Sequence, residues 1–386
     1  MSIEKGFLCL ICEAGQIVIQ NWFDGLPRVT SDCKPFPAGG KLGVCEKCYA
    51  IQKLANSKFM SEIDIIYKNY HAYEIAGGEE QLVFDSVTNS LLRRSDLIIR
   101  VLKDAAILPN IGKILDIGCG HGVTLKAFSS QFPGWDLYGY EQNLNDLSSL
   151  KNLSKFKSLF IGDLGDIGEK FQFITLIHTL EHLLNPFEFL RSASDLLEDG
   201  GSLFIEVCNI RENAFDLLVA DHVLHFSPGV LNLLLCRAGF KVQWIKTDLV
   251  KKELSALAIK KNNYRNDCDS NPYETDHLSM LLRYKNGILD ILARSLDVSE
   301  NSQPICIFGT SIAGSWLAGV LGDKAHFFVD EDPGRIGKKY MNKPVISPVD
   351  IPLDSIVILA LAPTIADVVA KKISRADIYF IKPLNW

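Results

Sequence analysis

Four groups of residues have types and spacings that could do chemistry. The run Leu115-Asp116-Ile117-Gly118-Cys119-Gly120-His121-Gly122 closes an apolar stretch with three alternate glycines. Glycine lets a backbone turn sharply and approach a ligand with no Cβ in the way, so this loop could cradle a nucleoside. Glu141, about 20 residues on, could accept both hydrogen bonds of a ribose diol. Asp163, in Ile161-Gly162-Asp163, could accept from an adenine amino group. Either acid alone reads as a solvated turn residue; both, in order, favour a ligand. Cys9-x-x-Cys12 and Cys45-x-x-Cys48 supply four thiolates, the donor set of a structural tetrahedral zinc site. Cys33, between them, reads as a free thiol. His178, His182, His222 and His225 offer imidazoles near their working pKa, suited to general base chemistry or to one shared metal ion.

These side chains need elements to hold them. From Lys113 strands and helices alternate: strands over Lys113–Ile117, Leu137–Tyr140, Ser158–Ile161, Phe173–His178 and Ser202–Val207, helices over Val123–Phe132, Leu144–Leu150 and Pro186–Leu197. Asp199-Gly200-Gly201 reads as a helix stop. A helix over Pro228–Ala238 and strands over Phe240–Ile245 and Leu254–Lys260 follow. The last two lack a crossover helix, which predicts an antiparallel edge pair. The alternation predicts an α/β fold, a doubly wound sheet with its ligand site outside the strands' carboxyl ends. Glu141 and Asp163 then sit at strand tips, and the four histidines follow the fourth and fifth strands.

Upstream, a helix is expected over Ser90–Ala106. Tyr67, Tyr70 and Tyr73 form a ladder, of which Tyr70 and Tyr73 could line an acceptor pocket or simply pack a helix. Downstream, the polar turn-rich segment 262–274 marks a boundary. A helix over Asp276–Ser295 with Thr275 as cap follows. A second α/β unit begins at Pro304. Its turn Gly309-Thr310-Ser311-Ile312-Ala313-Gly314 is a near-miss dinucleotide fingerprint with Ser311 at the second glycine, which favours a packing and substrate-orienting module over a second nucleotide site. The expected organisation is a zinc-binding domain over 1–60, the glycine-loop domain with a helical lead-in over 61–262, and a C-terminal Rossmann-like domain over 275–386.

The D-x-G-x-G-x-G order, with the acid in the strand end, departs from a dinucleotide G-x-G-x-x-G. Over residues 113–260 it resembles motif I of class I S-adenosylmethionine-dependent methyltransferases, together with His178-Thr179-Leu180-Glu181-His182, Asp199-Gly200-Gly201 and Ala238-Gly239-Phe240. The resemblance implies that Asp116, Gly118 and Gly120 hold the amino-acid end of the donor, Glu141 the ribose and Asp163 the adenine, with His178 packed against it. Asp221-His222-Val223-Leu224-His225-Phe226-Ser227, the four cysteines and the second α/β unit are similar to the sugar C-methyltransferase family, which acts on nucleotide-linked keto-deoxysugars. That implies His222 as the base beside a ketone, with Asp221 orienting it or stabilising its charged form; by position alone His182, otherwise packed against the donor, and His225 are further catalytic candidates. Asp221 stands where that family has Glu, His225 where it has Tyr, and Tyr70-His71-Ala72-Tyr73-Glu74 where it has Tyr-Phe-Ser-Ser. An O- or N-methyl acceptor on a sugar or other small molecule is the alternative, ahead of RNA methylation or a non-catalytic scaffold.

Composition sets the outer bounds. The 386 residues carry a net charge of −6, a poor basis for holding a polyanion. Residues 1–75 balance eight Lys/Arg against eight Asp/Glu, so the cysteine segment has no electrostatic footprint for nucleic acid. No apolar run reaches bilayer length. The expectation is a cytoplasmic enzyme with a small-molecule substrate and no nucleic acid or membrane partner.

Overall fold

The computed structural model describes residues 2–70, 80, 82–85, 90–105, 107–142, 148–261 and 276–386. Its centre is a seven-stranded sheet in the order Phe156–Phe160, Asp136–Tyr140, Lys113–Ile117, Phe171–Ile177, Leu197–Cys208, Glu253–Lys260, Phe240–Lys246. The first five strands are parallel and the last two antiparallel, as the missing crossover helix predicts. Strand Lys113–Ile117 is buried along four of its five residues, so its apolar run reads as a central strand. Strand order reverses around it, which opens a crevice at its carboxyl end where the glycine loop lies. This is the Rossmann-like class I methyltransferase fold.

Three sequence-based expectations shift. The segment 90–106 is not one helix: Ser90–Arg93 pairs antiparallel with Leu82–Asp85, and the helix runs Arg94–Asp104. The adjacent Leu91-Leu92 fits a strand period as well as a helical one, and pairing decides. Asp199-Gly200-Gly201 does not stop a helix. That helix already ends at Leu196, and the glycines form a bulge inside the next strand, where Phe171 pairs with Leu197 but Phe173 with Ser202. Gly200, at φ 74°, makes the bulge possible. The third parallel strand runs Phe156–Phe160, ahead of the expected span. The segment 262–274, Thr275, Tyr73 and the start of the helix expected at Leu144 lie outside the described residues; Asp276 is the residue preceding the helix His277–Val298.

The N-terminal segment forms a five-stranded sheet ordered Ser2–Leu8, Gln16–Ile19, Leu42–Cys45, Ile51–Lys53, Leu224–His225. Its last strand comes from far downstream in the chain, in the histidine segment, with Leu224 opposite Gln52 and His225 opposite Ile51. The C-terminal unit is a six-stranded sheet around Ile305–Phe308, parallel except for the hairpin Lys339–Tyr340/Lys343–Ile346. No described helix is long and apolar enough to cross a membrane.

Candidate active site

At the central crevice Gly118, Gly120 and Gly122 all have positive φ (75°, 47° and 76°), which other residues adopt only with strain. A Cβ on Gly118 would lie 2.2 Å from Thr179 Oγ1, so the loop and the 178–182 turn are packed without room for a side chain. The amides of Gly118 and Cys119 donate to the Tyr140 carbonyl, and Gly122 leads into helix Val123–Gln131. Glu141 stands at the second strand's tip, where its Oε2 accepts from the Gly120 amide at 3.0 Å. Asp163 is exposed at the third strand's exit and accepts from the Gly165 amide at 2.7 Å. Asp116 lies beneath the loop, 2% exposed, with Thr175 Oγ1 donating to it at 2.6 Å. Burial lifts its carboxyl to about 7, against the lowering effect of the Thr175 bond. A buried acid in that state is stabilised as an anion by a nearby cation, and the donor's ammonium and sulfonium would supply one. Glycines, Glu141, Asp116 and Asp163 together fit a cationic nucleoside.

The histidines lie on the other wall. His182 and His222 meet edge to face with ring centroids 4.8 Å apart. The Val223 amide donates to the Glu181 carbonyl, so the 178–182 turn and the 221–226 segment are hydrogen-bonded to each other. His222 Nδ1 is 2.7 Å from Asp216 Oδ1, and His225 Nδ1 is 2.6 Å from Asp216 Oδ2. Asp216 is 1% exposed; the two imidazoles beside it hold its carboxyl far below the ordinary carboxylate range despite the opposing desolvation. It comes from the one-turn 3₁₀ segment Ala214–Leu218.

The residue that orients His222 is therefore Asp216 and not the expected Asp221, whose charge still favours the imidazolium. Asp221, in the turn ahead of strand Leu224–His225, faces the N-terminal segment, accepting from the Ser31 amide at 2.8 Å and hydroxyl at 2.5 Å. Its other neighbour is His182, with Nδ1 at 3.5 Å from Oδ2. His225, expected as a reacting group, is fully buried on the strand that joins the N-terminal sheet and supports Asp216 from behind. Nor do the four histidines converge on one point. His178, at φ 48°, points its Nδ1 to Glu181 Oε1 at 3.0 Å and its Nε2 toward Glu253. Among the tyrosines, Tyr67 rather than Tyr70 reaches this wall: its hydroxyl is 3.2 Å from His182 Nδ1. Tyr70 stacks edge-on against Tyr67 and its oxygen accepts from Ser31 at 3.4 Å.

The sequence reading missed Asp216, Glu181, Tyr67 and Ser31 as site residues. Glu181 was in view, inside the His178–His182 stretch, but its complete burial was not.

Cys9, Cys12, Cys45 and Cys48 come together, with Cys9–Cys48 Sγ 3.4 Å apart and Cys12–Cys45 3.6 Å apart. Four thiolates about 2.3 Å from one zinc ion stand about 3.8 Å apart, so the set fits that ion. Amides of Ile11 and Cys12 donate to Cys9 Sγ, and those of Lys47 and Cys48 to Cys45 Sγ. Gly15 closes over the cluster; a Cβ there would lie 2.1 Å from Cys45 Sγ. In the C-terminal unit the Thr310 amide and hydroxyl of the Gly309 turn both donate to Asp330 Oδ2.

Residues 91–244 match the methyltransferase domain family. The ubiquinone biosynthesis O-methyltransferase of Chromobacterium violaceum is 29% identical over 124 residues, 30% of this chain and 53% of that protein. That of Glaesserella parasuis is 30% identical over 132 residues, 30% and 54% of the two chains. The chain thus spans about half the length of the curated relatives it matches. Among solved structures, an S-adenosylmethionine-dependent methyltransferase of Methanosarcina mazei aligns with a TM-score of 0.34 and 15% identity, over 41% of this chain and 97% of that one. A calicheamicin-biosynthesis methyltransferase with S-adenosylhomocysteine bound aligns with a TM-score of 0.37 and 14% identity, over 52% and 58%.

Proposed function

We propose that this chain, which carries a class I S-adenosylmethionine-dependent methyltransferase domain over residues 91–244, moves the donor's methyl group to the carbon beside the ketone of a nucleotide-linked deoxysugar. The carrying observation is the Asp216–His222 pair at 2.7 Å. Asp216 takes Nδ1, which leaves Nε2 of a buried ring to accept a proton, and its negative charge stabilises the imidazolium that results. Asp116, Gly118, Gly120, Glu141 and Asp163 hold the donor, which when bound supplies an electrophilic methyl on sulfur. Tyr67 and Asp221 fix His182 against the acceptor side, with Tyr70 packed edge-on against Tyr67. Cys9, Cys12, Cys45 and Cys48 hold a structural zinc ion; four protein ligands leave it no open position.

The test is solvent exchange. With S-adenosylhomocysteine bound and no methyl to transfer, a keto-sugar substrate should exchange its acidic C–H for deuterium, and His222→Asn should stop this while keeping nucleoside affinity. Exchange that persists in the variant excludes the base. The second reading, O-methylation of a small molecule, is favoured by the O-methyltransferases among the relatives. A panel of hydroxylated acceptors with labelled donor separates the two.

A further inference from the structure

Glu181 is a buried charged group with half of its carboxylate unaccounted for. Its side chain is 1% exposed, and its Oε1 is occupied by His178. Its Oε2 is buried with no hydrogen-bond partner among the described residues. An ionised carboxylate oxygen left in this way is costly unless a donor or a cation meets it. Facing it are the two imidazoles of His182 and His222, and one ligand atom from each of the three residues lies within 4.8 Å of the other two.

Hydrogen bonds leave one nitrogen on each ring. His222 Nδ1 is taken by Asp216, and His182 Nδ1 by the Asp221 carbonyl and the Tyr67 hydroxyl, so each ring has Nε2 left. A ligand set whose outer atoms are each anchored by a carboxylate, a carbonyl or a neighbouring ring is the arrangement that orients metal-binding histidines. Two imidazoles and one carboxylate suit a divalent transition ion and leave positions open for water or an acceptor oxygen. Acids also outnumber fixed cations around the cluster: the buried Asp216, Asp221 and Glu206 and the half-buried Glu253 stand near it, against Arg94 and Lys53.

We infer that Glu181, His182 and His222 form a second, divalent-cation site, separate from the four cysteines. The ion would draw its three ligand atoms to about 3.4 Å from one another. His222 Nε2 is also the proton acceptor of the function proposed above, so ion and proton compete for one lone pair. A bound ion silences the base. Only this consequence rests on the proposed function; the binding of the ion does not.

The experiment uses the full chain with zinc in its cysteine centre, titrated with Co²⁺. One further equivalent should bind, with weak visible d–d bands and without the intense near-ultraviolet thiolate-to-cobalt band of a cysteine site. Glu181→Gln and His182→Gln should each weaken it at least tenfold, with far-ultraviolet circular dichroism confirming the fold. No further equivalent, affinity unchanged in both folded variants, or a thiolate band that moves the ion to Cys208 would each overturn the site. In the deuterium-exchange assay, added Co²⁺ should suppress exchange as the site fills; faster exchange would overturn the competition. Failure of the base itself would show differently, as no exchange in ion-free protein while the Co²⁺ titration still holds.

Discussion

Asp216 binds two histidines with one carboxylate, and neither partner could be read from spacing. It lies six residues before His222 and nine before His225, in a Phe-Asp-Leu-Leu run that reads as ordinary apolar sequence. The glycine loop, Glu141 and the cysteine pairs were legible because their chemistry is written in contiguous motifs. Asp216, Glu181 and Tyr67 were not, because only burial and tertiary pairing give those residues their roles. For His222→Asn, turnover should fall about 10²–10⁴-fold, the usual worth of a positioned base, with S-adenosylhomocysteine affinity retained. Asp216→Asn should fall in the same direction, measured by the same assay. Asp116 provides the pH test. Burial raises its pKa to about 7 in the free protein, so it is charged only above that value. A cationic donor favours the charged form; affinity for S-adenosylmethionine should therefore rise between pH 6 and pH 8, by calorimetry. In Asp116→Asn the rise should disappear.

At the level of elements, alternation and apolar runs placed the central sheet and its antiparallel edge, since a sheet covered on both faces leaves a strong local signature. The strand Leu224–His225 had no such signature. Two residues carry no period, and it exists because its backbone completes the N-terminal sheet. Further bonds tie the same seam: the Lys53 amide donates to the Val223 carbonyl at 2.8 Å, the Ala220 amide to Val29 at 2.7 Å, and the buried Lys53 ammonium to Val219. The Cys45–Cys48 knuckle leads directly into strand Ile51–Lys53, so the four-cysteine segment is part of the histidine wall. If the cysteines hold the proposed zinc ion, a chelator, or replacing Cys45 by serine, should speed amide exchange across residues 219–226. Exchange over the glycine loop should change little, and so should S-adenosylhomocysteine binding. Mass spectrometry resolves the two segments.

Across the whole molecule, the C-terminal unit acts as a buttress for the Asp216 turn. Phe215, beside Asp216, packs against Trp316 at 6.0 Å and Trp386 at 5.6 Å between centroids. Trp386 also lies on Tyr284 and fills the space a side chain at Gly287 would need. In the unit's glycine turn the Gly309 amide donates to the Val329 carbonyl and the Thr310 amide and hydroxyl to Asp330. Trp386→Ala should cost about 2 kcal/mol, less than a fully buried tryptophan. Turnover should fall with nucleoside binding intact, because the loss reaches Asp216 and not the glycine loop; thermal unfolding and steady-state rates give the two readouts. The sequence announced three units but not that they share the histidine wall, because the sharing rests on side chains more than 150 residues apart, such as Phe215 and Trp386.

The central claim is the nucleoside site at the crevice, and calorimetry with S-adenosylhomocysteine tests it most directly. One equivalent should bind the intact chain. Glu141→Ala should weaken it roughly ten- to hundredfold, the worth of charge-assisted hydrogen bonds to a ribose, and Gly118→Arg, which fills the loop, should abolish it. Equal affinity in the intact chain and in a folded Glu141→Ala and Gly118→Arg would contradict the account.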